Sequence, residues 1–133
     1  MPGYSGKPLV SKLGIKPGHR IAVVASPPGF DLEGLPDELQ PVGPRARELD
    51  LVLLFVKSRA ELVRGFTREG PRLVSNGMLW VCWPKKSSGV RTDMTEDVVR
   101  EVVLPVGWVD VKVCAVDDTW SGLKVVRRIE TRA

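Results

Sequence analysis

Three short, almost uninterrupted apolar runs constrain the fold of this chain most strongly. They cover residues 20–26, 49–56 and 78–83, and each is rich in β-branched, leucine or aromatic side chains. Runs of this length without polar alternation are typical of strands that are covered on both faces of a parallel sheet. The sequence therefore predicts a layered α/β domain.

Two helices are predicted to connect these strands to their successors. Ser58 and Glu61 form the pattern of a capping box, and apolar residues follow at helical spacing, which predicts a helix over about 59–68. Thr95 is followed by two acidic residues, which favour the positive end of a helix dipole, so a second helix is predicted to begin there.

The C-terminal part predicts an antiparallel strand pair. Residues 108–116 alternate, which predicts Val109, Val111 and Val113 on one face and Asp110, Lys112 and Cys114 on the other, in a strand that is half exposed or near an edge of the sheet. A polar turn leads into a last strand over 123–128. Upstream, Asn76-Gly77 predicts a turn before the third apolar run.

The order of these elements predicts one domain. We expect a three-layer Rossmann-like sheet of about five strands, mostly parallel, with an antiparallel C-terminal pair. Residues 27–48 contain five prolines and predict a long loop. Residues 1–19 carry basic charges and no acidic ones, so they are interpreted as a basic arm preceding a domain over 20–133.

Composition excludes several classes of protein. With 43% hydrophobic and 27% charged residues in 133, the chain is typical of a globular protein. Neither a membrane-spanning run nor a secretion signal is visible, so a cytoplasmic location is expected.

Cys82 and Cys114 lie in strand-like runs, which predicts buried, reduced thiols. With His19 as the single histidine and no CxxC spacing, no metal site is expected.

The chain resembles known proteins at two levels. From residue 49 onward, the succession of strands and helices resembles strands four to seven of a class I methyltransferase, with the second and third strands of that fold missing. The phrases at residues 3–9, 12–18, 83–86 and 118–124 resemble a family of small bacterial proteins known as domain of unknown function 3052. That resemblance implies a bacterial protein of this architecture and no particular activity.

The turn after the first strand argues against a nucleotide-type cofactor. Such a turn is normally glycine-rich, so that backbone amides approach the ligand. Here Pro27 and Pro28 remove two amide donors and obstruct the approach, so no cofactor is expected. No histidine base, nucleophile elbow or paired carboxylates are apparent either, so no catalytic residue is assigned. A non-catalytic domain is favoured over an enzyme of unknown reaction.

The predicted working surface lies where the strands end, because ligands of open α/β sheets bind outside the carboxyl ends of the strands. Tryptophans there could stack on a ligand and lysines could hold an anionic small molecule or a protein partner. An alternative places both tryptophans in the core and leaves the lysines in solvent. Another alternative is a nucleic-acid-associated regulator that uses the basic residues on the predicted helix and loops. The oligomeric state stays open. The candidate ligand-binding residues are Lys57, Trp83, Lys85, Lys86, Asp118, Trp120 and Ser121.

Overall fold

A computed structural model describes residues 8–30, 32 and 41–132. Three helices and a five-stranded sheet account for most of this part of the chain, and four 3₁₀ turns join them. The helices are α1 (Leu9–Leu13), α2 (Arg59–Glu69) and α3 (Glu96–Val103). The strands are β1 (Ile21–Val24), β2 (Leu49–Phe55), β3 (Leu73–Pro84), β4 (Trp108–Ala115) and β5 (Trp120–Arg127). The 3₁₀ turns are Gly70–Arg72, Lys86–Ser88, Leu104–Val106 and Ile129–Thr131.

The sheet has the order β1-β2-β3-β5-β4. β1 pairs with β2 and β2 with β3 in parallel, whereas β5 runs antiparallel to both of its neighbours. β5 is therefore the one reversed strand among those described. The described residues between β1 and β2, which are 25–30, 32 and 41–48, contain neither helix nor strand. The predicted Rossmann-like sheet of about five strands, mostly parallel with an antiparallel C-terminal pair, is confirmed. The prediction that two strands of a full methyltransferase are missing falls partly on residues 31 and 33–40, which lie outside the described part of the chain.

Each face of the sheet carries its own hydrophobic cluster. On one face, which we call the α3 face, Leu62 of α2 and Val99 of α3 pack with Leu79 and Leu123 of the sheet. On the other face, which we call the α1 face, Leu13 of α1 packs with further strand residues. The two clusters make the three layers that the alternation of strands and helices predicts.

The basic N-terminal segment is not a separate arm over its described part. Leu13 is fully buried, and the indole Nε1 of Trp80 donates a hydrogen bond of 3.0 Å to the Leu13 carbonyl oxygen. Ile15 is buried in the same cluster. Through Val10, Leu13 and Ile15, the segment 8–15 packs into the core of the domain, while residues 1–7 lie outside the described part of the chain.

Both predicted helix starts are confirmed. The Ser58 hydroxyl accepts a hydrogen bond from the Glu61 amide, and the Glu61 carboxylate accepts one from the Lys57 amide. The Thr95 hydroxyl likewise accepts from the Val98 amide. These side chains satisfy amide groups that the first turn of a helix leaves without partners.

The predicted turn at Asn76-Gly77 is wrong, because β3 already begins at Leu73. The β2–β3 pairing moves from Leu49 opposite Leu73 to Leu51 opposite Met78, so the residues between form an irregularity within the strand. This irregularity is tight, since a Cβ atom at Gly77 would lie 2.9 Å from the Leu73 Cβ atom.

The alternation predicted for β4 holds only in part. Trp108 belongs to the α3 face and Cys114 to the α1 face, although strict alternation would place both on the same face. The β4–β5 register shifts between Asp110 and Lys112, which indicates a bulge. The predicted edge position of β4 is confirmed by the strand order.

The two cysteines are buried and unpaired, as predicted. Burial raises the pKa of the Cys82 thiol well above its ordinary value and also raises the pKa of Cys114. Among the described residues, no three metal-ligating side chains come together. No helix in this same part of the chain is long and apolar enough to cross a bilayer.

Candidate functional site

A groove of about 430 Å³ opens on the α3 face where β3 ends and β5 begins. These strand ends adjoin because the strands are antiparallel, with Trp83 opposite Ser121 and Pro84 opposite Trp120. We call this feature the α3 groove. Its lining residues are Trp83, Pro84, Lys85, Lys86, Met94, Thr95, Glu96, Asp97, Arg100 and Ser121.

The floor of the α3 groove is apolar and buried. Trp83 and Met94 retain 7% and 4% of their exposure, and both belong to the hydrophobic cluster of this face. The tryptophan ring therefore presents only a small part of its surface to a bound molecule. Ser121 contributes a half-buried hydroxyl beside this floor.

Two lysines form one side of the groove, and they have different roles. The Lys85 ammonium donates a hydrogen bond of 2.8 Å to the Asp117 carbonyl oxygen, and the Lys85 amide donates one of 2.7 Å to that of Thr119. Lys85 thus fastens the turn between β4 and β5. Lys86 is exposed, and its ammonium has no ion-pair partner within the described ranges. Lys86 is the lysine available to a ligand.

The opposite side of the groove is an ion-pair network around Arg100. The guanidinium donates hydrogen bonds of 3.0 Å to Asp110, Asp97 and Glu96, one from each nitrogen. The hydrogen bonds to Asp110 and Asp97 are the main reason that the pKa of Arg100 is raised. The network ties the start of α3 to β4 and places acidic side chains at the rim of the groove.

The structure brings four of the seven predicted site residues together and separates the other three. Trp83, Lys85, Lys86 and Ser121 line the α3 groove, whereas Lys57, Asp118 and Trp120 are not among its lining residues. Lys57 and Asp118 are exposed on loops. Of the three, Trp120 differs most from the prediction.

Trp120 faces the opposite side of the sheet. It is 6% exposed, and its ring contacts Phe55 edge to face with centroids 5.0 Å apart. Trp120 and Ser121 are consecutive in β5, and consecutive side chains of a strand point to opposite faces. The prediction that Trp83 and Trp120 share one surface is therefore corrected.

Sequence reasoning missed the residues that α3 and its preceding loop contribute, chiefly Met94, Glu96, Asp97 and Arg100. Glu96 and Asp97 were interpreted only as partners of the helix dipole. Their spacing of four and three residues before Arg100 places them on one side of the helix, and that signal was present in the sequence. The contact of Arg100 with Asp110 joins two elements and has no such local signal.

The turn after β1 folds back onto the α1 face. Ala25 and Gly29 have positive φ angles of 59° and 80°, and the Phe30 amide donates a hydrogen bond of 3.1 Å to the Pro27 carbonyl oxygen. The Phe30 ring then contacts Phe55, with centroids 4.9 Å apart. Aromatic rings thus lie on the α1 face beside the turn that follows β1. This is the turn that the sequence predicts to be unsuited to a cofactor, because of Pro27 and Pro28.

Several basic residues that a nucleic-acid site would need are bound within the protein. Arg59 pairs with Glu101, and Arg68 and Arg72 both pair with Glu69. Arg72 is buried and also donates to the carbonyl oxygens of residues 43 and 46. It therefore holds the loop before β2 and does not present its charge to solvent.

Comparison with solved structures identifies the fold of this chain and does not identify its family. LepI in complex with SAM matches with a TM-score of 0.53 and 11% identity, over 90% of this chain and 39% of LepI. LepI carrying a cysteine-to-alanine substitution, in complex with SAH and a substrate analogue, matches with a TM-score of 0.52, 11% identity and the same coverage. The fold is methyltransferase-like.

The other comparisons do not extend this assignment of the fold. A protein from Sulfolobus solfataricus, assigned as a type 11 methyltransferase, matches over 71% of this chain and 61% of its own length, with 12% identity and a TM-score of 0.48. The chain thus spans 39% to 61% of the lengths of these proteins. No protein-family model matches the chain, and no curated protein matches its sequence. The resemblance to domain of unknown function 3052 stays a prediction.

Proposed function

We propose that this methyltransferase-like domain is a non-catalytic binding module that holds an anionic small molecule, or an anionic group of a protein partner, in the α3 groove. The observation that carries the proposal is the exposed Lys86 ammonium beside a buried apolar floor. An apolar pocket with a few polar groups at its rim is the usual form of a small-molecule site. The anion pairs with Lys86, and apolar parts of the ligand contact Trp83 and Met94.

The groups around the α3 groove support binding more than they support acid–base catalysis. His19 lies in the turn before β1, where its Nδ1 accepts a hydrogen bond from the Lys16 amide. The carboxylates at the groove are hydrogen-bonded to the Arg100 guanidinium, so they are engaged in holding the ion-pair network together.

The test measures thermal stabilisation of the full chain by phosphate, acetyl phosphate, adenosine nucleotides, SAM and SAH. We expect at least one anion to raise the Tm of the wild-type protein and to lose most of that effect with Lys86→Ala. Lys112→Ala is the matched control, since Lys112 is an exposed lysine on the edge strand β4. Lys85→Ala is a poor probe, because it also releases the turn that Lys85 fastens.

Two outcomes would contradict the proposal. One is that no anion stabilises the protein. The other is that stabilisation survives Lys86→Ala unchanged. A gel shift with mixed DNA and RNA tests the nucleic-acid alternative. It is done at low salt, because binding to phosphates weakens steeply as the salt concentration rises. Tight, salt-sensitive binding that persists in Lys86→Ala would place the function elsewhere on the surface.

A further inference from the structure

We infer that the ligand of the α3 groove is dipolar, with a carboxylate or phosphate at one end and an amino cation at the other. This inference rests on the proposed function, since it concerns the same groove. The two sides of the groove carry opposite charge: Lys86 on one side, Glu96 and Asp97 on the other. A ligand that bears both charges satisfies both sides.

The acidic side retains negative charge after its internal pairing. Asp110, Asp97 and Glu96 share a single guanidinium, so the network as a whole carries an excess of two negative charges. Each carboxylate accepts from Arg100 through one oxygen, and its second oxygen has no partner within the described ranges. A carboxylate can accept more than one hydrogen bond. An amino cation of the ligand finds acceptors there.

Arg100 is a poor partner for the ligand's anion, because three of its five N–H donors are engaged with carboxylates and the network around it carries excess negative charge. The Lys85 ammonium is bound to the Asp117 carbonyl oxygen, so Lys86 is the lysine of the groove that serves the anionic end. A dicarboxylate would bring its second negative charge toward the acidic side and be repelled, and a diamine would meet the same repulsion at Lys86.

The apolar floor between the two charged sides determines which kind of linker can join the charged ends of the ligand. Trp83, Pro84 and Met94 offer apolar surface, which favours methylene groups over a polar linker. The ligand class is therefore a short zwitterion with an apolar linker, of the kind represented by an ω-amino acid.

Three probes of equal chain length test the inference: glutarate, 5-aminovalerate and cadaverine. Each is titrated into the isotope-labelled full chain, and affinity is measured from the amide shifts of Lys86, Asp97 and Ser121. We expect 5-aminovalerate to bind about tenfold more tightly than either other probe, which corresponds to about 1.4 kcal/mol. Lys86→Ala and Asp97→Asn should each remove most of this preference, and Lys112→Ala should leave it intact.

The other outcomes separate the inference from the proposed function. If glutarate binds at least as tightly as 5-aminovalerate and is weakened by Lys86→Ala, the anion site stands and the dipolar ligand is overturned. If cadaverine binds most tightly, or Lys86→Ala has no effect on any probe, both are overturned. Both are also overturned if none of the probes shifts the groove amides at tens of millimolar.

Discussion

The two faces of the sheet differ most at the end where β3 finishes and β5 begins. On the α1 face, which we call the closed face, Phe30, Phe55 and Trp120 form a chain of edge-to-face contacts among the described residues. On the α3 face, the same strand ends lie under an open groove. Trp120 and Ser121 are consecutive in β5, yet Trp120 belongs to the α1 face and Ser121 lines the groove on the α3 face. Because neighbouring residues of a pleated strand point to opposite faces, one lies in the aromatic packing of the α1 face and the next lines the α3 groove.

Each face has its own hydrophobic cluster, but the two faces differ in what lies at this end of the sheet. On the α1 face, the rings of Phe55, Trp80 and Trp120 and both cysteine thiols are buried in the apolar cluster. On the α3 face, the rim of the groove is an exposed ion-pair network with helix α3 behind it. Substitutions on the closed face should therefore change stability strongly, and those at the groove should change it weakly while altering ligand affinity.

Trp120→Ala should have the largest effect. It removes a buried indole and its contact with Phe55, and such truncations cost roughly 3–5 kcal/mol of unfolding free energy. Urea denaturation measures the loss. Val113→Ala, on an exposed valine of the edge strand, is the control and should cost less than about 1 kcal/mol. Equal losses for both variants would show that the α1 face is not closed.

Gly122→Ala should come next, because it adds a methyl group to the closed face. The new Cβ atom would lie 3.2 Å from Trp80 Cε3 and 3.2 Å from Val116 Cγ2. Overpacking of this kind costs roughly 1–3 kcal/mol. Gly43→Ala serves as control, since a Cβ atom there meets no atom within 4 Å. A Gly122→Ala protein as stable as the wild type would contradict the dense packing described for this face.

The buried thiols should make the closed face sensitive to alkaline pH. Burial raises the pKa of Cys82 in the folded state above its unfolded value, which is about 8.5. Stability is then complete below that pH and falls as pH rises, by up to about 1.4 kcal/mol per pH unit. Denaturation at several alkaline pH values should show a shallower decline for Cys82→Ala than for the wild type. Parallel declines would argue against a buried thiol.

Thr95→Ala probes the open face and should cost about 1 kcal/mol, because it removes the side-chain cap of α3. Thr67→Ala in α2 is the matched control and should cost nothing, since Thr67 is exposed within its helix. Both are compared by urea denaturation. If Thr95→Ala leaves stability unchanged, the hydroxyl does not hold the start of α3 beside the groove.

Ala25→Gly should have the smallest effect and the opposite sign. Ala25 has a φ of 59°, a left-handed conformation that costs an alanine roughly 1 kcal/mol, and it begins the turn that delivers Phe30 to the closed face. Replacement by glycine should stabilise the protein by about 0.5–1 kcal/mol. The same change at Ala60, in the exposed first turn of α2, should destabilise it. A loss of stability in both variants would contradict this backbone conformation.

Local signals made most of the fold predictable. The apolar runs became β1, β2 and the second half of β3, and the capping residues Ser58 and Thr95 mark the starts of α2 and α3. The irregularities in β3 and β4 were not predictable, because they are set by pairing with neighbouring strands and not by the residues themselves. The burial of α1 depends likewise on contacts distant in the chain, such as that between Trp80 and Leu13.

The sequence predicted at which end of the sheet the candidate site lies. It did not predict which of the candidate side chains point to the same face of the sheet. Trp83 and Ser121 come together because β5 pairs antiparallel with β3 as well as with β4. The separation of Trp120 follows from alternation within β5, but the sequence prediction started that strand three residues too late, at Leu123. The complete Arg100 network could not be predicted from the sequence, because the contact of Arg100 with Asp110 depends on how α3 packs against the sheet.

The most direct test of the account maps where the protein responds to added molecules. Amide shifts of the full chain are followed during separate titrations with 5-aminovalerate and with SAM. We expect 5-aminovalerate to shift Lys86, Asp97 and Ser121, and neither compound to shift the turn from Ser26 to Phe30. The account is contradicted if SAM shifts that turn more than it shifts the α3 groove, because the α1 face would then be an open site.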